Sequence, residues 1–192
     1  MTLAQIYRLA LRQLDEDPED ISEFKELFEA YVNEGYRIAV NDYWKPRFTF
    51  NFTTDDNGNI DIHGMHIRSL VSVKSDNYNI ELHAAMSEDM NGIHVYGGIA
   101  GANQPVTVIA RVEMPPLKAD TDVPKIPEEA HMALVDYICY RYKSSGNLAK
   151  QSQAQAYLSL FQTTLMRMPS MAEGSAIHQK NLYLSTSLGW PW

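Results

Sequence analysis

Apolar residues recur with a helical period at the start of the chain. Thr2 is followed three residues later by Gln5, a spacing that is typical of a capping box at the start of a helix. Apolar positions then continue along one helical face to Leu14. The acidic, proline-containing run Asp15–Asp20 breaks this pattern and predicts a loop. Its carboxylates favour the start of a following helix.

A second helix is predicted to be long and rich in aromatic residues. Asp20 or Glu23 is expected to cap its start, and Pro46 to end it about 22 residues later. One face of this helix carries Phe24, Leu27, Phe28, Tyr31, Val32, Tyr36, Ala39 and Tyr43.

The pattern changes to strict alternation at residue 47, and alternation is typical of half-buried strands. Residues 47–114 are therefore predicted to form an antiparallel β module of about six strands, with a turn at Asp55–Asn59. After the first strand, Arg47–Thr53, a short return strand holds Ile60 and Ile62. The predicted buried faces of the other four strands are Ile67, Val71 and Val73; Tyr78, Ile80, Leu82 and Ala84; Ile93 and Val95; and Val106, Val108, Ala110, Val112 and Met114.

Prolines separate this module from a second helical region. Residues 115–123 are predicted to be an extended linker, and Pro127 suits the first turn of a third helix that runs to about Lys143. Gly146 is expected to end that helix as a left-handed cap. A fourth helix is expected to begin at Leu148 and to end at Pro169. Its predicted buried face consists of Tyr157, Leu158, Phe161, Leu165 and Met168.

Residues 169–192 are predicted to be a C-terminal arm. Their partial alternation favours an extended strand, which needs a sheet edge or a groove because a lone strand is unstable in water. Two tryptophans flank a proline at the end and offer large apolar area for docking. We expect the arm to bind a neighbouring chain; the alternative is that it folds back on the β module. The expected contact residues are Leu182, Tyr183, Leu184, Leu188, Trp190 and Trp192.

Together these elements predict an α+β fold. Residues 1–46 and 124–168 are expected to pack as one helical bundle, from which the β insertion 47–114 projects. A chain of 192 residues with 45% hydrophobic content is long enough to bury such a core.

Charge is distributed unevenly along the chain, which has a net charge of −8. Residues 1–46 and 47–123 each carry 5 basic and 10 acidic side chains, whereas residues 124–192 carry 6 basic and 4 acidic ones. Such an acidic protein is not expected to hold a phosphate backbone, so any contact with passing DNA should be transient. No long apolar run predicts a membrane span, and the first residues lack the pattern of a signal peptide.

Candidate catalytic and metal-binding residues are few. Pairing Leu82 with Val95 in a hairpin would place His83 opposite His94, yet a metal site needs three or four ligands, so a solvated histidine pair is favoured. Cys139, the single cysteine, is predicted to be a buried core residue. No catalytic residue, metal or cofactor is expected.

The third helix is apolar on nearly every side. Either it forms the centre of the bundle, or part of it faces another subunit, and the pattern alone leaves both interpretations open. In the second interpretation, Tyr137, Tyr140 and Arg141 would contribute to contacts between subunits.

The helical part of the chain resembles head-to-tail adaptor proteins of tailed bacteriophages, of the larger type with a β insertion found in short-tailed phages. The resemblance rests on the proline-led helix Ile126–Tyr137, the pair Tyr140-Arg141, a short Ser-Gly turn, and the run Gln153–Tyr157 followed by Phe161. It implies a ring, usually of twelve copies, that docks below the portal of the capsid. It also implies that the helices form the ring and that the C-terminal arm reaches the portal.

The expected function is therefore structural: a ring subunit between portal and tail, through which DNA passes. Expected partners are other copies of the chain, the portal protein, and the tail nozzle or the next ring. The glycine-rich hairpin tip, with Gly97, Gly98, Gly101 and Asn103, is the expected contact with the tail. Two alternatives are a β module that binds a ligand such as a glycan and an enzyme that uses the histidines of the sheet.

Overall fold

The computed structural model describes residues 1–96, 103–145 and 148–174. These residues form two compact units. The helical unit contains residues 1–45 and the described residues from 114 onwards, and the β unit contains residues 46–113. The predicted α+β class is confirmed, because four α-helices and a six-stranded antiparallel sheet are present.

The first two helices begin at different kinds of cap. Helix α1, Leu3–Gln13, has the predicted capping box between Thr2 and Gln5. Helix α2, Ile21–Ile38, has Asp20, one of the two predicted caps, at its N-cap position, but no side chain makes a capping hydrogen bond there. Asp17 instead accepts a hydrogen bond from the Glu19 N–H and caps the short 3-10 turn Pro18–Asp20 that leads into α2. The side-chain cap is therefore found at the start of the 3-10 turn, one turn before α2.

Helix α2 continues as a π-helical segment, Ala39–Trp44, and ends where Lys45 adopts a left-handed conformation with φ of 46°. Pro46 follows at once, as predicted, and prevents further helix because it has no N–H to donate. The sequence pattern did not reveal the wider π turn.

Helix α3, His131–Ser144, is the centre of the helical unit. It packs against α1, α2 and α4, and a 3-10 turn, Glu128–Ala130, precedes it. Its residues from Ala133 to Cys139 are buried without interruption, which explains the apolar character of every side of the helix. Helix α3 thus lies at the centre of the bundle, which is the first of the two interpretations of its apolar pattern.

The proline-rich linker docks on the helical unit instead of spanning solvent. The Asn33 side chain on α2 donates a hydrogen bond to the Leu117 carbonyl and accepts one from the Leu117 N–H, at 2.8 and 2.7 Å. The Leu3 and Ala4 N–H groups donate to the carbonyls of Asp122 and Asp120. Two free donors at the start of α1 are thus satisfied by the linker.

Helix α4, Leu148–Gly174, passes through Pro169, so the prediction that this proline ends the helix was wrong. A proline inside a helix removes one hydrogen bond and clashes with the preceding turn. That turn is held in place by Leu165 and Met168, which are fully buried in the core. The predicted buried stripe of α4 is confirmed by Phe161, Leu165 and Met168. Gly146, the predicted left-handed cap, lies outside the described residues.

The β unit is a single antiparallel sheet in the order β1-β6-β3-β4-β5-β2. Its strands are β1 Phe48–Thr53, β2 Asn59–Asp61, β3 Ile67–Ser75, β4 Ile80–Met86, β5 Gly92–Tyr96 and β6 Pro105–Val112. The core of the unit is aliphatic and comprises Ile60, Ile62, Ile67, Val73, Ile93, Val95, Val106, Val108 and Ala110.

Some predicted inward residues of the sheet face outward or lie elsewhere. Val71 is 36% exposed because two register shifts interrupt the pairing of β3 with β6. Tyr78 precedes β4 in a turn and is 56% exposed, and Ile80 is also exposed. Met114 lies beyond the end of β6 and packs against the core of the helical unit.

Strand partners also differ from the simplest expectation. The short return strand β2 exists, but it pairs with β5, while β1 pairs with β6. In the β4–β5 hairpin, Ala84 pairs with Val95, so the predicted pairing of Leu82 with Val95 was wrong by two residues.

Candidate protein-interaction site

The sheet histidines do not form the opposed pair that the predicted register required. His83 lies opposite Tyr96, and His94 lies opposite Ala85. The His94 Nδ1 atom is hydrogen-bonded to Asn59 Oδ1 at 2.7 Å, and its ring meets Tyr96 edge-on at a centroid distance of 4.6 Å. Across residues 1–96, 103–145 and 148–174, no three His, Cys, Asp or Glu side chains are grouped to hold a metal ion.

An open groove of about 540 Å³ lies beside His94 in the β unit. Its carboxylates already accept hydrogen bonds from their own turns. Asp55 accepts from the N–H groups of Asn59 and Asn57, which lower its pKa, and the Ser87 hydroxyl and the Asn91 N–H lower that of Asp89. These acids therefore act as turn-forming residues. The groove was not predicted from the sequence.

The cysteine prediction is confirmed. Cys139 is fully buried in α3, and burial raises the pKa of its thiol to about 12. A thiol with such a pKa remains protonated at neutral pH and is a poor nucleophile. Its role is to fill the core beside Ala10 and Gln13, whose oxygen atoms lie 3.8 and 3.4 Å from the sulfur.

The three residues predicted at a subunit interface lie together at the end of α3. Tyr137 is buried within its own subunit, where its ring packs on Phe161 at a centroid distance of 4.7 Å. Tyr140 is half-buried beside it. The Arg141 guanidinium donates to the Glu34 carboxylate at 2.8 Å and lies over the ring of Tyr31. Much of this cluster is therefore occupied by contacts within the subunit.

The predicted contacts with the portal and the tail fall mainly outside the described residues. This applies to Gly97, Gly98 and Gly101, and to the arm residues Leu182, Tyr183, Leu184, Leu188, Trp190 and Trp192. Asn103, at the base of the glycine-rich segment, is described and has a φ of 60°. Its N–H donates to the Thr54 carbonyl, and its side-chain amide donates to Asp56 at 2.9 Å. These bonds fix the point from which β6 begins.

A surface on α4 went unnoticed in the sequence pattern. Leu160 and Met166 are 54% and 69% exposed, although the helix carries a complete buried face. A helix with large apolar side chains on both faces is a candidate for a contact with a partner. The signal was present in the sequence as two apolar residues that fall off the buried stripe.

The described part of the chain contains no helix with the length and apolar character needed to cross a membrane. A fold of this kind, with a helical unit that presents apolar surface and an inserted sheet, suits a structural protein that works through contacts with other proteins.

One protein family matches the chain. The family described as SU10 adaptor protein matches residues 1–181, which is nearly the whole chain. The chain therefore belongs to the SU10 adaptor protein family and is a bacteriophage adaptor protein. No curated protein matches it.

Proposed function

We propose that this protein is a subunit of a ring that joins the portal of the capsid to the tail. The observation that carries the proposal is its membership of the SU10 adaptor family over residues 1–181. Its partners in this role are further copies of the chain, the portal protein, and the tail nozzle or the next ring. The role requires binding and shape, and no chemical step.

The helical unit forms the ring in this proposal. Its core is built around α3 and is closed within one subunit, so that each subunit can fold before it assembles. Tyr140 and Arg141 lie at the margin of this core, above the buried Tyr137, and contribute to the contact with the next subunit. Exposed apolar side chains on α2 and α4 supply further area for assembly.

The two remaining segments provide the contacts along the axis of the ring. Because α4 continues to Gly174, the proposed arm begins after that residue and binds the portal through Leu182, Tyr183, Leu184, Leu188, Trp190 and Trp192. The glycine-rich tip, with Gly97, Gly98, Gly101 and Asn103, contacts the tail. Charge supports a channel function: residues 1–123 contain 20 acidic and 10 basic side chains, so DNA passing nearby is repelled and not held.

Electron microscopy of the full chain, alone and after incubation with purified portal, tests the proposal. We expect closed rings on the portal. Native mass spectrometry of the complex should give the same number of subunits per ring as the micrographs. A chain that stays monomeric in both conditions would overturn the ring. A ring that forms but never attaches to the portal would overturn the proposed position.

A further inference from the structure

The outward side of α4 is unusual in a protein with 24 acidic residues, because no acid occurs between Asp136 and Glu173. We define the α4 outer face by its side chains that point away from the core: Ser152, Ala156, Ser159, Leu160, Thr163 and Met166. All six are exposed, and they combine two large apolar side chains with four small ones. Small side chains allow another helix to approach closely, and the two large ones gain from being covered.

The outward side of α2, in contrast, carries acids. We define the α2 outer face by Glu23, Glu26, Leu27, Ala30 and Arg37, which are spaced along one helical stripe and are all exposed. Leu27 is 41% exposed at its centre. Glu23 and Glu26 take part in neither the ion pair of Lys25 with Asp120 nor that of Arg141 with Glu34.

These two faces lie on different sides of the same unit. Helices α2 and α4 both pack on α3, and α4 meets the second helix chiefly through the π-helical segment Ala39–Trp44. A contact between the α2 outer face of one copy and the α4 outer face of the next is therefore heterologous. Such a contact repeats from copy to copy and produces a closed ring when the rotation closes.

We propose that the α4 outer face of each subunit packs against the α2 outer face of a second copy of this chain. The inference rests on the ring function proposed above and names the surface that builds the ring. Leu160 and Met166 meet the apolar centre around Leu27 and Ala30. The acids Glu23 and Glu26 lie against a helix that carries no acid of its own before Glu173.

Charge also argues against a symmetric pairing of like faces. Two α2 outer faces packed about Leu27 would bring Glu26 of both copies close together, and opposed like charges are unfavourable. The pairing of an acidic face with an acid-free one avoids this repulsion. The α2 outer face is thus better matched to the α4 outer face than to a second copy of itself.

A charge substitution with a rescue variant tests the contact. Leu160→Glu places an acid opposite Glu26, so we expect at least about a tenfold fall in the fraction of chain assembled on the portal. Adding Glu26→Lys to the same chain should restore assembly. The matched control is Tyr78→Glu, since Tyr78 is 56% exposed, close to the 54% of Leu160, but lies in the β unit. The control should assemble normally.

Melting temperature separates assembly from folding. Leu160→Glu should leave the melting temperature unchanged. If this variant unfolds, Ser159→Glu provides a second test at a small, exposed position of the same face. Normal assembly of both variants would overturn the interface while leaving the ring intact. Failure of the unsubstituted chain to assemble at all would overturn the ring function instead.

Disulfide trapping gives a direct measure of which faces meet. The native Cys139 is fully buried, so cysteines introduced on the surface react selectively. On the assembled ring, Leu27→Cys combined with Ser159→Cys should give a ladder of covalent multimers on oxidation, and each single variant should form no covalent cross-link. Covalent dimers from either single variant would show a symmetric contact and overturn the proposal.

Discussion

Asp136 is an acid in the middle of the central helix, and burial raises the pKa of its carboxyl group to about 6. Burial therefore favours the neutral form of the carboxyl group more in the folded chain than in the unfolded chain, where the pKa keeps its ordinary value of 3.8. Between these two values the folded state binds more protons, so stability falls as pH rises from about 4 to 6. Above pH 6 the full penalty of an ionised buried group is present.

Replacement of this group by a neutral isostere should stabilise the protein. We expect Asp136→Asn to raise the free energy of unfolding by up to about 3 kcal/mol at pH 8 and by about half of that at pH 5. Denaturant titration at both pH values measures the difference. Glu129→Gln, an exposed acid in the turn before α3, is the control and should change stability little. A loss of stability at pH 8 in the Asp136 variant would contradict the assignment.

Gly35 on α2 lies directly against the Tyr137 ring. A Cβ atom at this position would be 2.8 Å from both Cδ1 and Cγ of that ring. Tyr137 cannot retreat easily because Phe161 packs behind it. Gly35→Ala should therefore lower the free energy of unfolding by about 1–3 kcal/mol, despite the better helix propensity of alanine.

Thermal denaturation checks this expectation, and a double variant shows its cause. When Tyr137→Leu is also present, Gly35→Ala should do less harm, because the ring that it strikes is gone. Additive effects of the two substitutions would mean that the close contact is not the source of the loss.

Among the elements, strand β3 separates sequence pattern from structure most clearly. Val71 and Val73 are both apolar and two residues apart, so alternation assigns them to the same face. The register shift between Leu70 and Ser72 leaves Val71 exposed and Val73 buried. Val71→Lys should change the free energy of unfolding by less than about 0.5 kcal/mol, and Val73→Lys should lower it by more than about 3 kcal/mol. Equal losses in denaturant titrations would contradict the shift.

Local features of the elements were predictable from the sequence for a physical reason. The capping box at Thr2 and Gln5 and the buried stripe ending in Leu165 and Met168 involve residues within one or two helical turns. The partners of the strands were not predictable in this way. The pairing of β1 with β6 joins residues such as Phe48 and Ala110, and periodicity contains no information about such distant contacts.

Pro169 shows the same limit in a helix. Its intrinsic preference predicts an end to α4, but buried neighbours in the preceding turn hold the helical path through it.

For the interaction surfaces, the sequence indicated the apolar character of α3 but not that its own subunit covers Tyr137. Leu160 and Met166 lie off the buried stripe in the sequence, but their exposure depends on how the unit packs and is seen only in the structure.

At the scale of the whole molecule, the proposed arm is separable from the fold. Removal of residues 178–192 should abolish attachment to the portal while leaving the melting temperature of the monomer nearly unchanged, since an arm that binds another chain adds little to its own subunit. Pull-down on purified portal and calorimetry measure the two effects. A truncated chain that unfolds would instead favour an arm that folds back on its own β unit, and intact docking would refute the arm.

Net charge makes a separate prediction for DNA. We expect no binding of duplex DNA at physiological salt, because the excess of acids over residues 1–123 repels phosphate. Fluorescence anisotropy with a labelled duplex measures this, with a basic DNA-binding protein as the positive control. Micromolar affinity that falls steeply with added salt would contradict the channel function and favour a nucleic-acid-binding protein.

The pairing of β1 with β6 has a consequence for how the insert joins the rest of the chain. The strand that opens the β unit and the strand that closes it run side by side, so the insert begins and ends on neighbouring strands whose paired Cα atoms lie only about 5 Å apart. The two ends of such an insert therefore need only a short gap between the residues that they join. Changes of length within the β unit therefore leave the distance between its two ends unchanged, so that α2 and α3 can keep their own packing.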